Sequence, residues 1–399
     1  MASKQPVIAL AAGGTGGHMF PAAALAKELL TRGYKVVLLT DTRGMAYAHV
    51  FKKCAVECIE SSSPMQGGMA KRIASIFALI KGSFSSRKLL KKHQAKAVVG
   101  FGGYASLPAI IGGRLAGLPY GLHEQNAVLG RVNRVLAGGA GFLATTFDNT
   151  RRIKPKLVDK TTLIGNPTRV EISKIGEKPY LQPEQGGAFN ILAVGGSQGA
   201  KIFADIIPAA LTFLDSEFKN NLFVTQQCRG EDKQRVEKAY KRSGIKFETH
   251  EFIDDMAGAL EKAHLLICRS GAGSVTEAAL AARPAIFVPL SIAADNHQTY
   301  NARALSEKRA GWLMREGEFS PGPLAALIGG LLTASDQLDE AAKNARLEAK
   351  PDATAALADL VDDKLLKTKE KTDKNSNKNS GKKEKENKMA TTTNKRVAA

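Results

Sequence analysis

Apolar runs along this chain are short and punctuated by glycine. Val7–Ala12 stops at Gly13-Gly14-Thr15-Gly16-Gly17-His18, and Pro21 then opens an apolar-periodic stretch through Leu30 that Gly33 closes. That order predicts a strand, a glycine turn and a helix. Tyr34–Thr40 reads as a second strand ending at Asp41, and Ala97–Phe101 and Pro119–His123 as two more, separated by helical patterns. The alternation predicts a parallel sheet. Gly165, Asn166, Pro167, Pro179, Pro183, Gly186 and Gly187 then mark an interdomain linker over 165–188. Beyond it the opening pattern restarts: strand Asn190–Val194, turn Gly195-Gly196-Ser197-Gln198-Gly199-Ala200, and a helix from Lys201. His264–Cys268 feeds Arg269-Ser270-Gly271-Ala272-Gly273-Ser274 and a helix through Ala282, and Ala285–Pro289 is a further strand. A weak internal duplication follows. Helical periodicity near Ala341–Val361 predicts a closing helix. From Lys364 the chain is Lys/Asn/Ser/Thr-rich, too poor in apolar residues to offset its ordering entropy, and is expected to be a disordered tail. The expected units are 1–165, 166–340, 341–363 and 364–399.

Composition sharpens this picture. With 399 residues, 44% hydrophobic and 24% charged, the chain can bury two cores. Few aromatics (6%) and 38 glycines favour Ala/Gly/Val-rich layers. The expected class is α/β, with two facing Rossmann-like, doubly wound parallel-sheet domains and a cleft between them. Four cysteines supply neither a disulfide framework nor a zinc-ligand pairing, which fits a reducing compartment.

The net charge of +19 is not confined to the tail: residues 364–399 hold 12 basic and 4 acidic residues, leaving +11 on the rest. An anionic partner follows. Nucleic acid is not expected, because no aromatic-interleaved basic patch, RNP-type sequence or zinc-finger spacing occurs. No apolar run reaches the roughly 18 residues of a spanning helix, and no cleavage-type segment opens the chain, so a protein neither exported nor membrane-spanning is expected. Residues 69–96 contain eight Lys/Arg and no acid, with Met69, Ile73, Ile76, Phe77, Ile80 and Phe84 at helical spacing. Such a stretch either lies on anionic lipid or turns its apolar side to the core.

A glycine turn feeding a helix presents unpaired amides and a partial positive charge, which suits a phosphate; it also serves simply as a tight βα connection. Neither glycine-rich turn is a P-loop, and Met19 breaks the dinucleotide fingerprint G-x-G-x-x-G. Asp41 keeps a ribose-binding, dehydrogenase-type alternative open, weakened by that broken fingerprint. Ligands of doubly wound sheets lie at the carboxyl ends of the strands, so two facing domains would share one cleft and suit a two-substrate reaction.

Eight motifs then occur in a telling order: Gly13-Gly14-Thr15-Gly16-Gly17-His18, Gly102-Gly103-Tyr104, His123-Glu124-Gln125-Asn126, Gly165-Asn166-Pro167, Gly195-Gly196-Ser197-Gln198-Gly199, Arg269-Ser270-Gly271-Ala272, Glu277 and Asp295-Asn296-His297-Gln298. From about residue 7 to 355 the chain resembles the MurG family of bacterial glycosyltransferases. The resemblance implies a GT-B fold and inverting transfer of N-acetylglucosamine from UDP-GlcNAc to the MurNAc C4 hydroxyl of lipid I, forming lipid II by a β-1,4 bond. It also implies a peripheral enzyme at the cytoplasmic face of the bacterial plasma membrane, in contact with an anionic surface and with proteins of cell-wall synthesis, and a last helix, 341–363, that packs back on the N-terminal domain.

By the same resemblance Glu277 would bind the ribose hydroxyls, Arg169 the donor diphosphate, Ser197 and Gln198 with their turn amides the diphosphate, and Ala272 and Gly273 the donor at the next turn. Ile253 would read the uracil edge through its backbone, Gln298 the sugar hydroxyls, and Thr15, Gly16, Gly17 and Asn126 the donor–acceptor junction. Plainer roles stand beside these: Glu277 stabilising a helix dipole, Arg169 a solvated surface residue, Ile253 ordinary core. No metal cofactor is expected; the chain holds no Asp-x-Asp. Inversion requires a base for the acceptor hydroxyl. His18 is the candidate, because a neutral imidazole accepts a proton near pH 7, against the alternative of a packing or capping histidine. Glu124 is the alternative base. Ile73, Ile76, Phe77, Ile80 and Phe84 are the candidate membrane contacts. A sugar-nucleotide-binding module without catalysis would display the same binding groups.

Overall fold

The computed structural model describes residues 5–61, 69–184, 186–196 and 199–367. Ser197, Gln198, the side chain of Ile73 and the Lys-rich segment past 367 lie outside the described residues. Seven parallel strands form the first sheet: β1 (Val7–Ala11), β2 (Lys35–Thr40), β3 (Ala55–Cys58), β4 (Ala95–Gly100), β5 (Tyr120–Glu124), β6 (Leu143–Thr145) and β7 (Thr161–Leu163), in the order β3-β2-β1-β4-β5-β6-β7. Six more form the second: β8 (Phe189–Val194), β9 (Leu222–Gln227), β10 (Lys246–His250), β11 (Leu265–Cys268), β12 (Ala285–Phe287) and β13 (Trp312–Leu313), in the order β10-β9-β8-β11-β12-β13. Each sheet runs outward from its first strand in both directions. The order therefore reverses between β1 and β4, and again between β8 and β11, where doubly wound sheets open their ligand crevices.

Strand side chains alternate between faces. On β1, Ile8 and Leu10 pack into a core with Met19, Leu25 and Leu29 of the helix Gly16–Thr31, while Ala9 and Ala11 pack on the other face with Ala109 and Ile110 of the helix Gly103–Leu115. Leu357, Val361 and Leu365, from the end of the described chain, complete the Ile8/Leu10 core and are fully buried. Arg32 holds Asp359 at 2.6 Å and Asp362 at 3.1 Å, and the Tyr34 hydroxyl donates to Asp362 Oδ1 at 2.6 Å.

Several boundaries differ from the sequence reading. The first helix begins at Gly16, ahead of Pro21, so the proline lies inside it and forgoes one i→i−4 hydrogen bond. The linker contains the helix Val170–Gly176, whose Ile172 and Ile175 are buried in the second domain. The closing helix is two helices, Asp336–Glu348 and Ala353–Leu360, separated at Pro351. The first of them buries Leu338, Ala341, Ala342 and Ala345, with Leu338 and Ala345 in the second-domain cores, so a boundary at 340/341 cuts through it. Helical structure also continues through Leu366, past the expected start of the tail.

Residues 69–92 form one helix, and its packing is inverted. Ser75, Ser83, Ser86 and Leu90 are buried, while Ile76, Phe77, Ile80 and Phe84 are 50%, 68%, 49% and 58% exposed. Small residues permit close packing on the helix Gly103–Leu115: a Cβ added at Gly112 would lie 2.6 Å from Ser83 O, and one at Gly82 would lie 3.2 Å from Pro108 Cβ.

Candidate active site

The first glycine turn is held by a buried acid. Asp41 Oδ1 accepts from Gly14 N at 3.1 Å and Gly44 N at 2.9 Å, and Oδ2 accepts from Arg43 at 2.9 Å. Burial pushes its carboxyl up, but the Gly44 amide, the Arg43 guanidinium and the Gly14 amide outweigh that and hold it below the usual range. With both oxygens engaged, Asp41 has no free edge for a ribose diol, and the dehydrogenase alternative fails on that ground. Gly14 sits at φ +87°, a conformation that favours glycine.

Thr15 precedes the helix and is exposed, while Gly16, Gly17 and His18 form its first turn. The half-buried His18 ring rests against a second turn, Gly102 (φ +80°) and Gly103 (φ +73°). A Cβ at Gly103 would come within 3.3 Å of His18 Cδ2, so the missing side chain leaves room for the imidazole. His18 Nδ1 is 2.9 Å from Gln125 Oε1.

Glu124 is 2% exposed and fully engaged. One oxygen accepts from Asn126 N at 3.0 Å and Asn126 Nδ2 at 3.3 Å, the other from Gly130 N at 2.7 Å and Asn133 Nδ2 at 2.8 Å. These donors shape the loop after β5 and leave the carboxylate poorly placed to take a substrate proton, which argues against the alternative base.

In the second domain Arg169 precedes the helix Val170–Gly176, and its guanidinium reaches Glu277 Oε1 at 3.4 Å. Burial raises the Glu277 carboxyl, and Arg169 opposes that rise. Ala272 and Gly273 start the helix Ala272–Leu280 after β11; a Cβ at Gly273 would meet nothing within 4 Å, so backbone there is open to approach. Gln298 Oε1 accepts from Leu290 N at 2.9 Å. Ile253 is 8% exposed and packs in the second-domain core, as its plainer reading has it. Gly196 (φ +85°) and Gly199 (φ +65°) bracket the turn after β8.

Contacts between the domains rest chiefly on Asn301 and Asp295, to which the sequence gives no individual role. Asn301 is fully buried; its Oδ1 accepts from Ala127 N at 2.7 Å and its Nδ2 donates to Asn126 Oδ1 and Ser270 O, each at 3.1 Å. Asp295, at φ +54°, is held by Arg134 at 2.6 Å and Arg152 at 2.9 Å. Burial raises its carboxyl, but these guanidinium groups hold it below the usual range. His123 and Gln125 were likewise only motif letters. No spacing rule could have signalled these contacts, since each joins segments remote in sequence.

Known proteins extend this geometry. The model of the glycosyltransferase family 28 N-terminal domain matches residues 8–141, and that of the family 28 C-terminal domain matches residues 190–357. Proteins named "UDP-N-acetylglucosamine--N-acetylmuramyl-(pentapeptide) pyrophosphoryl-undecaprenol N-acetylglucosamine transferase" are similar along most of the chain. The one from Paramagnetospirillum magneticum is 42% identical over 90% of this chain and 97% of its own. That from Caulobacter vibrioides is 42% identical over 90% and 99%. The crystal structure of Acinetobacter baumannii MurG aligns with a TM-score of 0.72 at 33% identity, covering 90% of this chain and 99% of that one. With both domains matched and near full-length relatives at this identity, the chain belongs to glycosyltransferase family 28, among the MurG enzymes.

Proposed function

We propose that this chain is an inverting N-acetylglucosaminyltransferase that moves GlcNAc from UDP-GlcNAc to the MurNAc C4 hydroxyl of lipid I, forming lipid II in peptidoglycan synthesis. The observation that carries the reading is family membership across both domains, in sheets whose strand order reverses where doubly wound folds bind their ligands.

The donor sits in the second domain. Glu277 accepts hydrogen bonds from the ribose diol, and Arg169 turns from Glu277 toward the diphosphate, where a guanidinium engages two oxygens at once. Amides at the turns after β8 and β11, with Ser197 and Gln198, carry diphosphate charge, and Ala272 and Gly273 give it close backbone approach. The backbone at Ile253 reads the uracil edge, and Gln298 offers its amide to the sugar. Thr15, Gly16, Gly17 and Asn126 line the junction where the acceptor arrives. His18 takes the proton of the attacking hydroxyl, while the amides and Arg169 stabilise the departing UDP. The reaction so written uses no metal.

No helix among the described residues is long and apolar enough to cross a membrane. The exposed row Ile76, Phe77, Ile80 and Phe84, flanked by exposed Lys88 and Lys91, supports docking on an anionic bilayer, where the lipid acceptor resides.

The test is transfer of labelled GlcNAc to a synthetic lipid I analogue, with EDTA present and with Glu277→Ala alongside. Transfer that survives EDTA and collapses in the variant is expected. Folded protein that binds UDP-GlcNAc yet transfers nothing would make it a sugar-nucleotide-binding module instead.

A further inference from the structure

Two side chains with no role so far form a hydrogen-bond chain that ends on His18. His123, on β5, is fully buried, and its Nε2 lies 3.0 Å from Gly165 O. A carbonyl only accepts, so Nε2 carries a proton. Burial pushes the His123 imidazole down to about 4, against the pull of its bond to Gly165, so the ring is neutral at pH 7 and Nδ1 keeps a lone pair. Gln125 Nε2 lies 2.9 Å from that Nδ1 and 3.2 Å from His123 O. Two acceptors on one side fix the amide rotation, because the flipped amide would set its oxygen against a carbonyl oxygen and a ring lone pair. Gln125 Oε1 therefore faces His18 Nδ1, 2.9 Å away. An amide oxygen also only accepts, so Nδ1 of His18 must donate.

We propose that Gln125 and His123 are positioning residues that hold His18 in its Nδ1–H tautomer, leaving the Nε2 lone pair to take the proton of the acceptor hydroxyl. The inference rests on His18 being the base. As the acceptor oxygen bonds to the anomeric carbon, the hydroxyl proton passes to Nε2, and the breaking bond leaves its electron pair on the β-phosphate oxygen of UDP. The resulting imidazolium keeps its Nδ1–H on Gln125. The far end of the chain is well anchored: Gly165 donates to Thr145 O at 3.2 Å, and a Cβ there would lie 2.5 Å from Lys350 Cβ, where the chain returns from the second domain. Gly103 keeps the working edge open, since a Cβ at that position would lie 3.5 Å from His18 Nε2.

Proton–nitrogen correlation spectra of the full chain with isotope-labelled histidine, His18 being assigned by its loss in His18→Ala, read the tautomer directly. Wild type is expected to show His18 protonated at Nδ1 and His123 at Nε2. Gln125→Leu should lose the single His18 tautomer and drop kcat about 10- to 100-fold, with KM for UDP-GlcNAc changed less than about twofold. An Nε2–H His18 in wild type would overturn the proposal even if no variant folds, as would an unchanged kcat in Gln125→Leu. Full transfer by His18→Ala would overturn the base assignment itself, and it is distinguishable because the spectrum reports the tautomer without turnover.

Discussion

Asp41 and Glu124 are the same device used twice. Each acid stands at the carboxyl end of a buried strand and accepts amides from the turns around it, Gly14 and Gly44 in one case and Asn126 and Gly130 in the other. In sequence both read as chemistry-bearing acids, because spacing shows that a carboxylate is present and not what already occupies its lone pairs. His18 differs from both in standing half-buried, with its Nδ1 2.9 Å from Gln125 Oε1. Asp41→Ala would strand the Gly44 amide and loosen the turn that carries His18, at a cost on the order of 2 kcal/mol. The pH dependence follows from the depressed native pKa. The stabilisation is complete above the ordinary aspartate value of about 4 and is lost as pH falls through the lower native value. Urea unfolding as a function of pH should therefore show the gap between wild type and Asp41→Ala shrinking in acid; a gap independent of pH would mean that the charge contributes nothing.

At the scale of elements, the central strands were readable because both of their faces are buried and their apolar runs end at glycine or at a polar residue. The strands that escaped reading are edge, short or half-polar: Ala55–Cys58, Thr161–Leu163 and Lys246–His250 alternate weakly, Leu143–Thr145 and Trp312–Leu313 are only three and two residues long, and Leu222–Gln227, though interior, ends in Thr-Gln-Gln. Their order comes from pairing with stronger neighbours. The helix Met69–Lys92 shows the opposite failure, a strong pattern whose direction cannot be read. Periodicity located an apolar face, yet serines and glycine make the close contact with the helix Gly103–Leu115, and the phenylalanines face outward. Burial of a phenylalanine is worth about 1.5–3 kcal/mol. The double variant Phe77→Ser/Phe84→Ser should lower binding to anionic vesicles at least about tenfold, while transfer to a water-soluble lipid I analogue stays unchanged. Co-sedimentation beside the transfer assay measures both, and vesicle binding equal to wild type would remove this face as the lipid contact.

For the whole molecule, the duplication visible in the sequence explains two sheets of one topology, but not how they are joined. The cleft side is fastened by Asp295 to Arg134 and Arg152 and by Asn301 to Ala127. On the other side the chain leaves the second domain after Glu348, turns at Pro351 and inserts Leu357, Val361 and Leu365 into the first-domain core. The first domain is thus completed by the last described residues and cannot close its core until they are present. Leu357→Ala leaves a cavity in that core alone, and such truncations cost about 2–5 kcal/mol. The single tryptophan, Trp312, lies on β13 in the second sheet and reports only its own domain. In urea, circular dichroism of Leu357→Ala should therefore gain an early transition, while the Trp312 fluorescence midpoint stays where it is in wild type. If the two signals instead move together, the cleft-side ion pairs and the returning helix bind the domains into one cooperative unit, and opening of the cleft must then proceed without independent loosening of either half.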